Sequence, residues 1–290
     1  MLSLDGPSPF SFGFQPIEQL RRDPEIHGYF KETVGLVTQG EEWYTFRQAV
    51  QQDLMRPKSA LYYIEEIEDV CQELVDKIEK ARDGDWQLDS ERIMQEYALE
   101  AVNVIFLGKK LGVLTGNPEG QAMINSTQII LKEILNMYQM PMTIGKYMPW
   151  YKRLVQATKE LGSIAFKHVN ESIAKVDITK DETVLAKIIR KHGRDSPFPS
   201  VLGFEALGAG IDTTSTTLHV LLYHLATNEE KQEKLYAEIC QHMGRDGSLT
   251  EYILSKMRYL KACQKESQRI HPIISGTNRK TQVGKQNRNF

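Results

Sequence analysis

The pattern of apolar and polar positions along the chain predicts a succession of helices. Apolar residues recur every three or four positions, the spacing that places them on one face of an α-helix. The clearest example runs from Leu61 to Arg82, with an apolar stripe of Ile64, Ile67, Val70, Leu74 and Ile78. Strand-like alternation is scarce, so the predicted class is mainly α.

Prolines, glycines and capping residues predict where the helices begin and end. Residues 108–120 are expected to form a glycine-punctuated loop, and the segment Ser196–Ser200 to separate two helices. The patterns that start at Thr227 and Ser248 predict capping boxes, the first opening a helix that runs to Met243. The other expected helices span 41–53, 61–82, 91–106, 121–140, 151–176, 181–192 and 201–228.

One stretch, Val201 to Asn228, is long, mostly apolar and free of proline. As a single helix it would be roughly 40 Å long, enough to cross a domain. Its centre is weakened by Gly208 and Gly210, each costing about 0.5–1 kcal/mol relative to alanine. Asp212 follows, and a carboxylate in apolar surroundings has to be paired, hydrated or directed into a cavity. The centre therefore combines features that a simple core helix does not need.

Three interpretations of this stretch compete. It could be a buried core helix whose hydroxyl groups bond to its own carbonyls, a transmembrane span, or a helix that lines a ligand pocket. The cost of Asp212 in mid-membrane, about 2.5–3.5 kcal/mol, disfavours the span. In a pocket, Gly210 would let a ligand approach the backbone, while Asp212 and Thr213 would supply protons. The weakened centre favours the pocket.

Residues Ala209–Thr213 fit the pattern A-G-x-[DE]-T, and here the chain resembles the cytochrome P-450 family of haem-thiolate monooxygenases. In that family the pattern lies in a long central helix. The resemblance implies an incomplete cytochrome P-450 fold, a helical bundle around this helix with little β. It also implies a haem (heme, iron protoporphyrin) cofactor beside Ala209 and Gly210. Asp212 and Thr213 would be the catalytic residues that deliver protons during dioxygen activation.

Trp43 and Arg47 lie four residues apart in the predicted helix 41–53 and so share one face. In an arbitrary helix this spacing is typical of a cation over an exposed aromatic ring. In the family, a W-x-x-x-R pair on an early helix contacts a haem propionate. The resemblance therefore implies that both residues bind the cofactor.

A second pattern, K-E-x-x-R-x-H-P, spans residues 265–272. Glu266 and Arg269 are three residues apart, a spacing that allows an ion pair on one helix face. By itself E-x-x-R is common, but in the family it is a structural pair on the haem side of the core. The resemblance also implies that Arg279, further along, approaches a propionate.

Lys261 and Lys265 lie one turn apart, a spacing that is ordinarily typical of a solvated face. In the mitochondrial branch of the family, lysines at the matching positions dock an acidic ferredoxin, the electron donor, and a basic patch steers such a partner. From Lys256 onward there are nine Lys or Arg and one acid, so this part carries +8 and the remainder −10. The resemblance implies a mitochondrial protein on the matrix side of the inner membrane, with peripheral membrane association.

The methionines between Met123 and Met148 are typical of irregular core packing. The resemblance instead places this stretch over the substrate pocket, where apolar side chains suit a lipophilic substrate such as a steroid or sterol. Both interpretations stay open at this point.

Composition adds few constraints. The 290 residues carry a formal net charge of −2, so no nucleic acid partner is predicted. Three cysteines show neither metal-ligand spacing nor a disulfide framework, and the first residues show no targeting signal. We expect an irregular leader at 1–24, a partial cytochrome P-450 domain at 25–280, and a basic, unstructured tail at 281–290.

The family's axial cysteine lies in the loop F-x-x-G-x-R-x-C-x-G, which this sequence does not contain, so no metal ligand is predicted. Two expectations follow. As a fragment of a longer protein, the sequence would belong to a monooxygenase that hydroxylates a lipophile. As a chain by itself, it would lack monooxygenase activity and bind haem weakly at best. The alternative function is a non-catalytic remnant or isoform that acts by binding a ferredoxin or a lipophile.

Overall fold

A computed structural model describes residues 20–30, 40–54, 61, 63–82, 88–139, 142–244 and 247–274. Within these ranges the regular secondary structure is helical and no strand occurs, which confirms the mainly α class. The helices are α1 (His27–Phe30), α2 (Gly40–Leu54), α3 (Ile64–Arg82), α4 (Ser90–Leu107), α5 (Pro118–Gln139), α6 (Met142–Gly145), α7 (Pro149–Lys175), α8 (Val184–His192), α9 (Pro197–Ala226), α10 (Glu229–Met243), α11 (Glu251–Lys256) and α12 (Arg258–Ile270).

The long helix α9 organises the fold, as the sequence predicted. Its 30 residues extend over roughly 45 Å. Helix α4 packs most extensively along it, and α7 also packs against it. Helices α5 and α8 complete this packed side, whereas α12 contacts the later part of α9.

The predicted start of the long helix is wrong. Helix α9 begins at Pro197 instead of Val201 and includes the segment that was expected to precede it. Ser196 is the N-cap, and its hydroxyl oxygen accepts a hydrogen bond from the Phe198 N–H at 3.3 Å. Proline is tolerated in a first turn because the N–H that it lacks has no intrahelical partner there.

The two predicted capping boxes do not form. Helix α10 has Asn228 as its N-cap without a side-chain cap bond, and the Thr227 hydroxyl donates backwards to the Tyr223 carbonyl at 2.9 Å. Helix α11 is capped by Thr250, whose side chain accepts from the Ile253 N–H at 3.2 Å. The expected end of α10 at Met243 is confirmed.

The core lies where α4, α7 and the first half of α9 meet. Gly203 of α9 is the point of closest approach, because a Cβ there would lie 2.7 Å from a methyl group of Val169 and 3.2 Å from the Phe106 ring. Val169 and Phe106 belong to a cluster that includes several side chains with no exposed surface, among them Leu99, Ala165, Leu185, Leu202 and Leu207.

A buried carboxylate orders the loop that follows α4. Glu100 is fully buried and accepts hydrogen bonds from the backbone N–H groups of Leu111 at 2.6 Å, Gly112 at 3.1 Å and Val113 at 2.6 Å. A carboxylate buried in this way is stabilised because backbone donors replace the water that it loses. The loop, which the sequence predicted from its glycines, therefore packs onto α4.

The packed body begins no later than Leu20, inside the segment predicted to be an irregular leader. Leu20 is buried in a small cluster with Ile26 and Leu154. Arg21 forms a buried ion pair with Glu205 of α9. The domain boundary at residue 25 stays a prediction, and the predicted tail lies outside the described residues.

Two further features bear on function. None of the helices in the described ranges is long and apolar enough to cross a membrane. Met123 has no exposed surface and belongs to the main core cluster, so for this methionine the packing interpretation is correct.

Candidate functional site

An open face of α9 presents a small residue and a hydroxyl group one turn apart. Ala209 and Thr213 are both exposed. The Thr213 hydroxyl donates a hydrogen bond to the Ala209 carbonyl at 2.7 Å. Because this bond occupies the hydroxyl proton, the lone pairs of Thr213 Oγ1 remain as acceptors at the open face.

Asp212 faces a different side of the helix, towards α4. Consecutive residues of an α-helix point about 100° apart, and the Asp212 side chain is half-buried. Its Oδ1 accepts a hydrogen bond from Nε2 of Gln95 at 3.2 Å, while Oδ2 is buried with no hydrogen-bond partner within the described ranges. The acid and the alcohol therefore lie on adjoining faces.

The protonation of Asp212 is set by opposing effects. Burial raises the pKa of Asp212 above its ordinary value, because the charged form loses hydration. The hydrogen bond from Gln95 lowers this pKa, and the negative charge of Glu91 raises it slightly. The net direction is upward, which favours a carboxyl group that exchanges protons closer to neutral pH.

Gly210 lies where α9 packs closely against α4. A Cβ at this position would lie 3.0–3.4 Å from the side chain of Val102 on α4. Val102 therefore lies against Gly210 on the α4 side, and the expectation that Gly210 makes room for a ligand stays a prediction. Gly208 differs, because a Cβ there would meet only Leu161 at an ordinary 3.6 Å.

Trp43 and Arg47 are half-buried on α2. This helix packs through Phe46 against Phe198, with ring centroids 5.1 Å apart. Phe198 is eleven residues before Ala209, which corresponds to roughly 16 Å along the helix. The described contacts of α2 thus lie on α8 and near the beginning of α9. The haem-binding role of the pair stays a prediction.

Glu266 and Arg269 form a two-pronged ion pair on α12. Arg269 Nε and an Nη atom donate to the two carboxylate oxygens of Glu266 at 2.8 and 2.7 Å. Both side chains are mostly exposed in the described structure. Close by, His271 Nδ1 lies 3.0 Å from Nε2 of His224, which joins the end of α12 to the second half of α9.

The two candidate partner-binding lysines, Lys261 and Lys265, are both exposed on α12. Being four residues apart, they share one face, and Lys261 Nζ donates to the Ser255 carbonyl at 3.3 Å. Arg279, the other predicted cofactor residue with a positive charge besides Arg47, lies outside the described residues.

Ala209 and Thr213 on α9 suit contact with a haem. The cysteines of this sequence are less suited to bind its iron. Ala209 is small and Thr213 offers an acceptor, both at an open face. Burial raises the pKa of the Cys263 thiol, which disfavours the thiolate that the iron requires. Cys71 lies 3.4 Å from the Tyr97 hydroxyl. In the part of the chain that the structure describes, no three His, Cys, Asp or Glu side chains are placed to hold a metal ion.

Three polar residues with clear structural roles escaped the sequence analysis. Gln95 and Gln128 extend the hydrogen bonding from Asp212 to the surface, and Glu238 caps α12 by accepting from the Tyr259 and Leu260 N–H groups at 2.7 and 2.9 Å. The buried residues of α4 include four polar ones, Gln95, Glu96, Glu100 and Asn103.

Comparisons with known proteins agree with this geometry. The chain is 31% identical to cytochrome P450 CYP12A2 of Musca domestica, with 92% of this chain and 53% of that protein covered. It is 30% identical to probable cytochrome P450 12a5, mitochondrial, of Drosophila melanogaster, over 87% of this chain and 50% of that protein. It is 27% identical to mitochondrial sterol 26-hydroxylase of Mus musculus, over 84% and 48%. The chain thus spans about half the length of these curated relatives.

A solved structure shows the same fold. A zebra fish cytochrome P450 with progesterone superimposes with a TM-score of 0.65 at 20% identity, covering 79% of this chain and 54% of that one. The sequence profile of the family described as Cytochrome P450 matches residues 19–285. Because that match includes nearly the whole chain, and named relatives are mitochondrial members, the chain belongs to the cytochrome P450 family and to its mitochondrial-type branch.

Proposed function

We propose that this chain provides part of a haem-dependent monooxygenase that hydroxylates a steroid-like, sterol-like or other lipophilic substrate. The observation that carries the proposal is that Asp212 and Thr213 place an acid and a hydroxyl group on adjoining faces of α9. The acid is half-buried against α4, whereas the hydroxyl oxygen faces the open side with its acceptor lone pairs. Family membership and the relatives' names support the oxidative chemistry and the lipophilic substrate.

A bound haem would supply the oxidation of the substrate by dioxygen. The chain's own residues shape the site and handle protons. Thr213 Oγ1 accepts a hydrogen bond at the open face, because the Ala209 carbonyl holds its proton. The Asp212 carboxyl group takes up a proton on the α4 side, and a change of rotamer brings that proton to the Thr213 side.

The remaining candidate residues support binding and electron delivery. Trp43, Arg47 and Arg279 would hold the haem propionates, and the pair Glu266–Arg269 would stabilise the haem side of the core. The exposed lysines of α12 would receive an acidic ferredoxin. The mitochondrial names of the relatives support a location at the matrix side of the inner membrane, with peripheral contact to it.

The first experiment is to sequence the native transcript beyond codon 290. We expect an in-frame cysteine loop, and the encoded protein, reduced and exposed to carbon monoxide, is expected to show the absorption band of thiolate-bound haem. In that protein Thr213→Ala should lower hydroxylation by about 10²–10⁴-fold, the range for a lost proton-transfer group. Thr217→Ala is the matched control, since Thr217 also donates to the carbonyl four residues before it. Equal activity in all three proteins would refute the proposed role of Thr213.

A non-catalytic protein that binds ferredoxin is the second candidate. It is favoured by the two exposed lysines on α12. It predicts that the 290-residue chain binds an acidic ferredoxin, that salt weakens the complex, and that Lys261→Glu with Lys265→Glu abolishes it. A transcript that stops after codon 290, together with such binding, would replace the monooxygenase proposal.

A further inference from the structure

A buried glutamine connects Asp212 to the surface of the molecule. Gln95 of α4 is only 2% exposed. Its Nε2 donates to Asp212 Oδ1 at 3.2 Å, and its Oε1 accepts from Nε2 of Gln128 on α5 at 3.0 Å. Gln128 itself is exposed. Three side chains from three helices therefore form one chain of hydrogen bonds that ends in solvent.

The direction of this chain is determined by the carboxylate. An ionised Asp only accepts hydrogen bonds, so Gln95 has to turn its NH₂ group towards Asp212. Its carbonyl oxygen then points to α5, where Gln128 supplies a donor. A flip of the Gln95 amide would lose both hydrogen bonds. Gln95 Oε1 would then face the Asp212 carboxylate oxygen, and Gln95 Nε2 would face Nε2 of Gln128.

We infer that Gln95 is a positioning residue, which holds the Asp212 carboxyl group on the α4 side and favours its ionised form there. Gln128 secures the orientation of Gln95. This inference deepens the proposed function and rests on it. If Asp212 carries protons, its carboxyl group has to release its proton in each cycle, and a donor that favours the ionised form assists that release.

The need for such a donor follows from the surroundings of Asp212. Burial and the carboxylate of Glu91, one turn before Gln95 on α4, both raise the pKa of Asp212. Among the described residues the hydrogen bond from Gln95 is the interaction that opposes them. Without it, the carboxyl group would stay protonated to a higher pH and would be less able to give its proton up.

The inference is tested by following the carboxyl ¹³C resonance of Asp212 during a pH titration of the 290-residue chain, with the resonance assigned by its loss in Asp212→Asn. We expect the titration midpoint to move upward in Gln95→Leu. It should move in the same direction, but less far, in Gln128→Leu, which changes only an exposed side chain. Asn103→Leu is the matched control, because it removes a buried amide from the same helix that bonds to the Leu99 carbonyl.

An unchanged midpoint in both glutamine variants would overturn the inference, as would an equal shift in Asn103→Leu. If Gln95→Leu does not fold, Gln128→Leu decides alone. The titration needs no haem and no turnover. Failure of the monooxygenase proposal would therefore appear in the transcript and the activity assay, whereas failure of this inference would appear in the Asp212 resonance.

Discussion

Two regions of this molecule use similar helices in different ways. The packed region, residues 88–211, contains most of the buried apolar side chains, and α9 supplies Val201, Leu202, Leu207 and Ile211 to it. In the open region, residues 212–274, the described buried hydrophobic residues are Leu235 and Met257. Exposed large apolar side chains, which also occur in the packed region, outnumber the buried ones here: Leu222, Tyr223, Tyr236, Tyr252, Ile270, Ile273 and Ile274.

The border between the regions crosses α9 at the candidate site. Ile211 is fully buried, Asp212 is half-buried and Thr213 is exposed. The helix keeps its geometry across this border. Helix α4 packs beside both halves of α9, with Val102 against Gly210 and Met94 in the cluster that Leu218 joins, while α12 meets the second half through His271 and His224. The comparison teaches that a site arises where one face of a packed helix becomes exposed.

The largest expected difference between the two regions is in the free energy of unfolding that is lost when a leucine is truncated to alanine. Leu207→Ala removes a side chain with no exposed surface, whereas Leu222 is 44% exposed on the same helix. We expect Leu207→Ala to lower the free energy of unfolding by about 2–5 kcal/mol, as is usual for a core cavity. Leu222→Ala should change it by about 0.5 kcal/mol or less. Urea unfolding followed by circular dichroism measures both, and equal losses would mean that the regions are packed alike.

Removing a negative charge should also affect the regions differently. In Glu100→Gln an NH₂ group replaces one of the two oxygens that accept from three backbone N–H groups, so at least one of these donors loses its acceptor. An unsatisfied buried group lowers the free energy of unfolding by about 1–3 kcal/mol. Glu266→Gln weakens an exposed ion pair, which should leave the unfolding midpoint unchanged. A larger loss in Glu266→Gln than in Glu100→Gln would reverse the comparison.

The two central glycines provide a smaller test within α9. Gly208→Ala should stabilise the chain by about 0.5–1 kcal/mol, the gain for alanine over glycine inside a helix. Gly210→Ala should gain less or lose stability, because its Cβ would press on the stiff side chain of Val102 at 3.0–3.4 Å. Differential scanning calorimetry of both variants is the measurement. Equal stabilisation would show that α4 and α9 separate easily at this crossing.

The smallest effect is a pH dependence at the border. The pKa of Asp212 is higher in the folded chain than its ordinary value of 3.8, so ionisation of this group opposes folding. The destabilisation is absent below the ordinary value and grows as the pH rises through the folded value. Asp212→Asn should therefore raise the melting temperature at neutral pH, with a benefit that disappears in acid. A benefit that is independent of pH would show that charge is not its cause.

Much of the fold followed from the sequence because helical periodicity and punctuation are local. The stripe from Ile64 to Ile78 and the length of α9 needed no tertiary contact to be predicted. Boundaries were less certain: the prolines at 197 and 199 were placed outside α9, although a first turn accommodates them. Thr227 resembled a cap but bonds back to Tyr223, since a threonine hydroxyl reaches either partner with similar ease.

For the candidate site, too, some features followed from the sequence and others only from the tertiary structure. The sequence by itself determined that Asp212 and Thr213 lie side by side in the weakened middle of a long helix, because composition and spacing are local properties. Only the tertiary structure decided that Asp212 faces Gln95, that Gly210 accommodates Val102 and that Thr213 stays open. Those outcomes depend on which helix packs against which face, and such contacts join residues about a hundred positions apart in the chain, as with Gln95 and Asp212 at a separation of 117.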